Sequence, residues 1–361
     1  MKLLETYQLG KITLKNRVVM APMTRCRAIN NIPNDLMKEY YAQRAGAGLI
    51  IAEGIAPSPN ALGYARIPGI FNQDQIQGWK KITEAVHEQG SRIFAQFMHT
   101  GRASHPDNMP DDAVVLAPSA VYHKGAMWTD QHGNQPFPLA KEMTADDIQN
   151  TIEEFVQAAK NAITSGFDGV EIHAGTGFLI DEFINPHTNL RTDEYGGSLE
   201  GRMKFALEVT QKIANAIGKE KVGIRISPNG IYNDMIPFEG TDEAFLYLAT
   251  SLKDMGIAYL HMVDHEAMGA PHVSSTLKEK VKNAFGGTYI ASGGFNGETA
   301  EHAINNEHGD LVAFGRPFIA NPDLVERIRD GKDFAISDPQ THYSATEVGF
   351  TDYPTLEKVT A

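Results

Sequence analysis

The chain is expected to fold as a single (β/α)8 barrel, one α/β domain over residues 1–361. Two observations lead there. First, eight short apolar, strand-like stretches alternate with eight amphipathic, helix-like stretches from one end to the other. Second, the stretch 166–202 (GFDGVEIHAGTGFLIDEFINPHTNLRTDEYGGSLEGR) opens with a buried-strand pattern and places His173 at its end. It then runs through a long polar loop before a helical pattern resumes. A functional side chain at a strand's C-terminal end, followed by a long loop, is how such a barrel presents an active site.

The strand-like stretches are 18–21, 49–53, 92–96, 169–173, 222–227, 259–264, 289–292 and 311–315. They are continuous apolar runs rather than alternating ones, which is the pattern of parallel strands covered on both faces. The helical stretches are 35–45, 75–89, 146–165, 201–217, 242–255, 276–285, 297–306 and 322–329. A doubly wound open sheet shares the alternation but does not call for eight units, and no GxGxxG follows the first strand. Residues 1–17 read as a hairpin over the barrel bottom. Residues 101–142, rich in Pro, Asp, Asn and His, are too long for an ordinary connection and read as a capping loop, a lid over the substrate.

Bulk properties exclude several classes. Net charge is −13 with no block of like charges, against the clustered Lys and Arg of nucleic-acid binding. No apolar run reaches the length of a signal peptide or a membrane span. Cys26 is the single cysteine, so no internal disulfide forms. The expectation is a cytoplasmic protein, monomer or homodimer, with a small-molecule substrate and neither nucleic acid nor membrane as partner. His99, His187 and His261 lack ligand spacing, so no metal is expected.

Seven motifs recur along these elements: LKNRVVMAPMTR, AQFMHTGR, the 166–202 stretch, GIRISP, SGGF, FGRPFIANPDL and FTDYP. Each is weak alone. In this order, over nearly the whole chain, they resemble the Old Yellow Enzyme family of FMN-dependent ene-reductases. The resemblance implies a ping-pong NAD(P)H-dependent flavin oxidoreductase. Hydride passes from NADPH or NADH to FMN, then to an electron-poor alkene (an α,β-unsaturated carbonyl or a maleimide), a nitro compound or a quinone.

Site residues follow from the motifs. Ser292, Gly293 and Gly294 after the seventh strand, and Phe314, Gly315 and Arg316 at the eighth, suit the phosphate. Gln96 offers a donor and an acceptor to the flavin's pyrimidine edge. Arg225 would stabilise the reduced, anionic ring, the role the resemblance favours over a buried salt bridge to Glu171 or Asp264. Pro22, Met23 and Thr24, with Gly54, match flavin contacts. Tyr64 and Met98 match the substrate pocket. Cys26 reads as inert, and Asp181, Asp193 and Glu194 as fixing the loop.

The substrate side departs from the family pattern. His173 matches the first of two donors that hold a carbonyl or nitro oxygen. The second is normally Asn or His three residues on, where this chain has Thr176. A proton-donating Tyr normally stands two further on, where this chain has Phe178. Gly201 replaces a common Asn, which bears on loop packing. Two alternatives therefore stay open: a flavin or nitroester reductase with weak C=C activity, and a non-catalytic flavin-binding barrel. A Schiff-base barrel is disfavoured because no lysine ends a strand.

Overall fold

The computed structural model describes residues 1–356. Eight strands form a closed barrel: β1 (Val18–Met20), β2 (Leu49–Ile55), β3 (Arg92–Phe97), β4 (Gly169–Ala174), β5 (Val222–Ile226), β6 (Tyr259–Val263), β7 (Thr288–Ser292) and β8 (Leu311–Phe314). Every pairing is parallel, and β8 closes onto β1. All residues of β1, β2, β4, β5, β6 and β8 are buried. Side chains pointing inward fill the barrel, and those pointing outward meet the helices, which is why the runs are continuously apolar. The chain is a (β/α)8 barrel.

The helices are α1 (Asp35–Gln43), α2 (Gln73–Glu88), α3 (Ala145–Thr164), α4 (Leu199–Ile217), α5 (Thr241–Met255), α6 (Ser275–Phe285), α7 (Gly297–Asn305) and α8 (Leu324–Arg329). Six starts are set by side-chain caps: Asn34, Asn72, Thr144, Ser198, Ser274 and Asn296 each accept from a backbone N–H three residues on. Two short helices, Leu179–Ile184 after β4 and Arg316–Ala320 after β8, were not expected from periodicity. Both are shorter than two turns, too brief to show a period. No helix among the described residues is long and apolar enough to cross a membrane.

The N-terminal hairpin, Tyr7–Leu9 with Ile12–Leu14, sends Leu9 and Leu14 into a cluster with Val19, Leu49, Phe94, Tyr259 and Leu311. Leu49, Phe94, Tyr259 and Leu311 lie in the first halves of their strands, so the hairpin sits at the end opposite the strand C-termini. The segment 101–142 has structure of its own, pairing Leu116–Ala117 with Lys141–Glu142 and Ala126–Thr129 with Gly133–Pro136.

Three buried arginines anchor the C-terminal segment. Arg25 donates to the carbonyls of His342 and Gly349, Arg27 to those of Thr341, His342, Thr346 and Val348, and Arg44 to that of Phe350. The Phe350 ring stacks on Tyr40 at 4.0 Å. Buried guanidinium groups need their donors satisfied, and backbone carbonyls do most of this here, those of the tail for Arg25 and Arg27 and mainly those of Phe318, Ile319 and Tyr40 for Arg44.

Candidate active site

A cavity of about 990 Å³ opens at the C-terminal ends of the strands, a size suited to a cofactor with a substrate beside it. Its wall contains Pro22, Met23 and Thr24 after β1, Gln96 and Met98 from β3, His173, Thr176 and Phe178 from β4 and its loop, and Arg225 from β5. Ser292, Gly293, Gly294, Phe314, Gly315 and Arg316 complete the far end, and Tyr64 faces the near one. Strand ends in a barrel are neighbours in space however far apart they lie in the chain, which is why these residues converge.

On the β4 side, His173 and Thr176 meet directly. His173 Nε2 lies 2.8 Å from Thr176 Oγ1. His173 Nδ1 is buried without a partner. Burial, with the nearby Arg225 charge second, holds the imidazole pKa well below 6.5, so it is neutral at pH 7. Phe178 packs edge-on to His173 at 5.3 Å and to Tyr64 at 6.0 Å. Tyr64 Oη donates to Asn233 Oδ1 at 3.2 Å, and Asn233 Nδ2 donates to the Thr176 carbonyl at 2.8 Å. Burial pushes the Tyr64 phenol pKa up, so it keeps its proton.

Thr176 adopts φ 57°, the left-handed region. A β-branched residue there is strained by about 1–3 kcal/mol, whereas Asn tolerates it. Thr176→Asn is therefore expected to raise stability by about 1 kcal/mol. Thr176→Val, which keeps the branch and loses the hydroxyl, is not. Urea unfolding of the two variants decides this, and a Val variant as stable as the Asn variant would refute it.

On the opposite side, Gln96 Nε2 donates to Glu171 Oε1 at 2.8 Å. Arg225 forms no bond with Glu171 or Asp264. Glu171 accepts from Gln96 and His261, and Asp264 from Lys278 at 2.6 Å. Arg225 Nε is buried with no partner. At the far end, the Arg316 guanidinium makes no hydrogen bond or ion pair with any described residue, although the residue lines the cavity.

Two expected contributors do not form part of this wall. Gly54 is not among the lining residues. A Cβ at this position would lie 2.6 Å from Met98 Sδ, so the absent side chain makes room for Met98. The segment 101–142 contributes no lining residue either. It braces the wall from behind, through Arg102 donating to the carbonyls of Asn233 and Asp234. Tyr232, Asn233 and His265 also face the cavity and were not anticipated, whereas His342 and Tyr343 bring to it the tail, which family resemblance places near the mouth. The first three lie on loops, where no periodicity marks them.

Other candidates are structural. Burial pushes the Cys26 thiol pKa up to about 12, with Glu53 adding to it. Arg191 binds Asp193 at 3.0 Å, Lys204 binds Glu194, and Asp181 accepts from the Gly177 N–H at 2.8 Å. A Cβ at Gly201 would meet the Gly196 carbonyl oxygen at 2.2 Å, so this loop is closed down upon the missing side chain. Asp264, Glu266 and His272 bring ligand-type atoms within 4.8 Å of one another, a grouping that sequence spacing did not reveal. The Lys278 ammonium already occupies Asp264.

The barrel and the strand-end cavity together define a candidate small-molecule site of the kind that (β/α)8 enzymes carry. Residues 2–334 match the model of the NADH:flavin oxidoreductase / NADH oxidase family. The chain is 40% identical over 365 residues to 12-oxophytodienoate reductase 1 of Oryza sativa subsp. japonica, covering 99% of this chain and 94% of the relative. It is 39% identical over 362 residues to chanoclavine-I aldehyde reductase fgaOx3 of Penicillium roqueforti (strain FM164), covering 98% and 96%. The solved structure of morphinone reductase superposes with a TM-score of 0.95 at 40% identity, covering 99% of this chain and 97% of that one. The chain belongs to the NADH:flavin oxidoreductase / NADH oxidase family, the Old Yellow Enzyme family. FMN is the flavin of that family, and a morphinone reductase structure holds tetrahydroNAD, a nicotinamide-type ligand.

Proposed function

We propose that this chain, acting as one FMN-binding domain, is an NAD(P)H-dependent reductase of electron-poor alkenes, nitro compounds or quinones. The observation that carries this reading is the His173–Thr176 pair, two potential donors 2.8 Å apart at one spot on the cavity wall. A ligand oxygen arriving there can take a hydrogen bond from each. For that, His173 must hold its proton on Nε2, because Nδ1 is shut away, and the Thr176 hydroxyl must turn from the ring to the ligand. Two such donors draw electron density from a conjugated C=C or a nitro group, which prepares it for hydride.

The residues present fit FMN. Arg225 has an unpartnered buried Nε, and Arg316 has an unengaged guanidinium. Arg225 with Gln96 would hold the pyrimidine edge. Arg316 with Ser292, Gly293, Gly294, Phe314 and Gly315 would hold the phosphate. Pro22, Met23 and Thr24 would line the ring. When bound, FMN supplies hydride storage between nicotinamide and substrate. Tyr64 and Met98 would shape the substrate's place.

Phe178 favours a second reading, reduction of nitroesters or quinones with slow C=C reduction. Such electrophiles do not depend on a side-chain acid at that position. The test is purification of yellow protein, anaerobic bleaching with NADPH or NADH, and reoxidation by cyclohexenone, an organic nitroester and a quinone in turn. Colourless protein that FMN cannot reconstitute, or yellow protein that neither nicotinamide bleaches, would refute the proposal.

A further inference from the structure

Glu171 lies two residues before His173 on β4 and is fully buried. A carboxylate in that setting is costly unless its oxygens are satisfied. Oε1 accepts from Gln96 Nε2 at 2.8 Å, and Oε2 lies 2.8 Å from His261 Nδ1. The carboxylate can only accept, so the His261 proton is on Nδ1. Strand register builds the group: Glu171 is paired with Gln96 across β4 and β3, and Arg225 stands between His173 and His261.

The contact with Gln96 has a directional consequence. A carboxylate fixes the amide with its NH2 toward Glu171, which leaves the Gln96 carbonyl oxygen as the group free to face the cavity. A flavin's N3–H is a donor and matches that oxygen. Glu171 also acts on Arg225 through its charge. The two make no bond, so the guanidinium stays free for a ligand while its field is moderated by the buried anion.

We propose that Glu171 is a positioning residue for bound FMN: it locks Gln96 with its carbonyl oxygen toward the flavin N3–H and its charge tempers the pull of Arg225 on the reduced ring. This rests on the FMN reading of the cavity. The test uses the holoenzyme and two variants, Glu171→Gln and Glu171→Asp. Two quantities are measured: the two-electron midpoint potential by dye equilibration, and the FMN Kd by fluorescence of released flavin. Glu171→Gln removes the anion and frees Gln96 to turn. Its reduction equilibrium is expected to move at least tenfold toward reduced flavin, about 30 mV more positive, with FMN bound at least tenfold more weakly. Glu171→Asp keeps the charge but draws it back from Gln96. It is expected to bind FMN more weakly at an unchanged potential.

A Glu171→Gln protein within threefold of wild type in both quantities would overturn the proposal. If that variant does not fold, a Glu171→Asp protein that binds FMN as tightly as wild type overturns it. Wild-type protein that takes up no FMN would remove the flavin reading itself. Wild type that binds FMN beside unmoved variants would remove only the role of Glu171.

Discussion

Replacing Phe178 by Tyr is expected to accelerate reoxidation of the reduced enzyme by cyclohexenone about 10²–10⁴-fold, the usual contribution of a general acid. The reduction by NADPH or NADH should be unchanged. Phe178 is 9% exposed, lines the cavity and sits edge-on to His173 at 5.3 Å. A hydroxyl added to this ring would put a transferable proton beside the site where the donor pair holds the substrate oxygen. Hydride arrival from nicotinamide needs no proton from this position, so the two half-reactions separate the effect. Stopped-flow traces of both half-reactions check it. Equal cyclohexenone rates in the wild type and the variant would sink the idea of a missing acid. If, in addition, Tyr64→Phe slowed the wild type, the acid would be Tyr64, whose buried phenol keeps its proton.

The second large effect is expected at His173. His173→Ala should slow the same reoxidation by about 10²–10³-fold, or about 2.7–4 kcal/mol, the loss seen when one donor to a developing negative oxygen is removed. His173→Asn should recover part of that loss, because it restores an N–H. The pH profile carries a separate signature. Burial and Arg225 lower the imidazole pKa well below its ordinary 6.5, so the neutral form persists in the folded protein. The unfolded chain takes up this proton near pH 6.5 and the folded one only at lower pH. This group therefore contributes acid lability below about pH 6.5 and nothing above it. The cyclohexenone rate should show no His173 titration between pH 6.5 and 9. A step in that interval that disappears in His173→Asn would refute the neutral-donor assignment.

Much of the site was legible because a barrel keeps function next to strand ends, and strand ends are local features of a chain. Gln96, His173, Arg225, Ser292 and Arg316 each lie at or just past the end of an apolar run, and all five line the cavity. The Thr176 and Phe178 departures were equally readable, being offsets from His173. Their surroundings were not. The left-handed backbone of Thr176 and the closure of its hydroxyl onto His173 depend on how the loop lands.

Two features depended on neighbours that local reading does not reach. Gly54 matches a flavin contact, and the space its missing side chain leaves is filled by Met98, just past the end of the neighbouring strand. The 101–142 segment was read as a lid on the strength of its length, but length does not say which way a loop folds. Arg102 turns it against the loop after β5.

The amino-acid sequence alone determined the barrel, its eight units, and which side chains stand at the strand ends, because periodicity and punctuation act over a few residues. Tertiary structure alone decided the rest. Glu171 reaches Gln96 75 positions away and His261 90 positions away. Arg27 reaches the Val348 carbonyl 321 positions away, holding a tail whose His342 and Tyr343 face the cavity. Partners so distant are chosen by register and closure, which are properties of the whole chain once folded and leave no local mark.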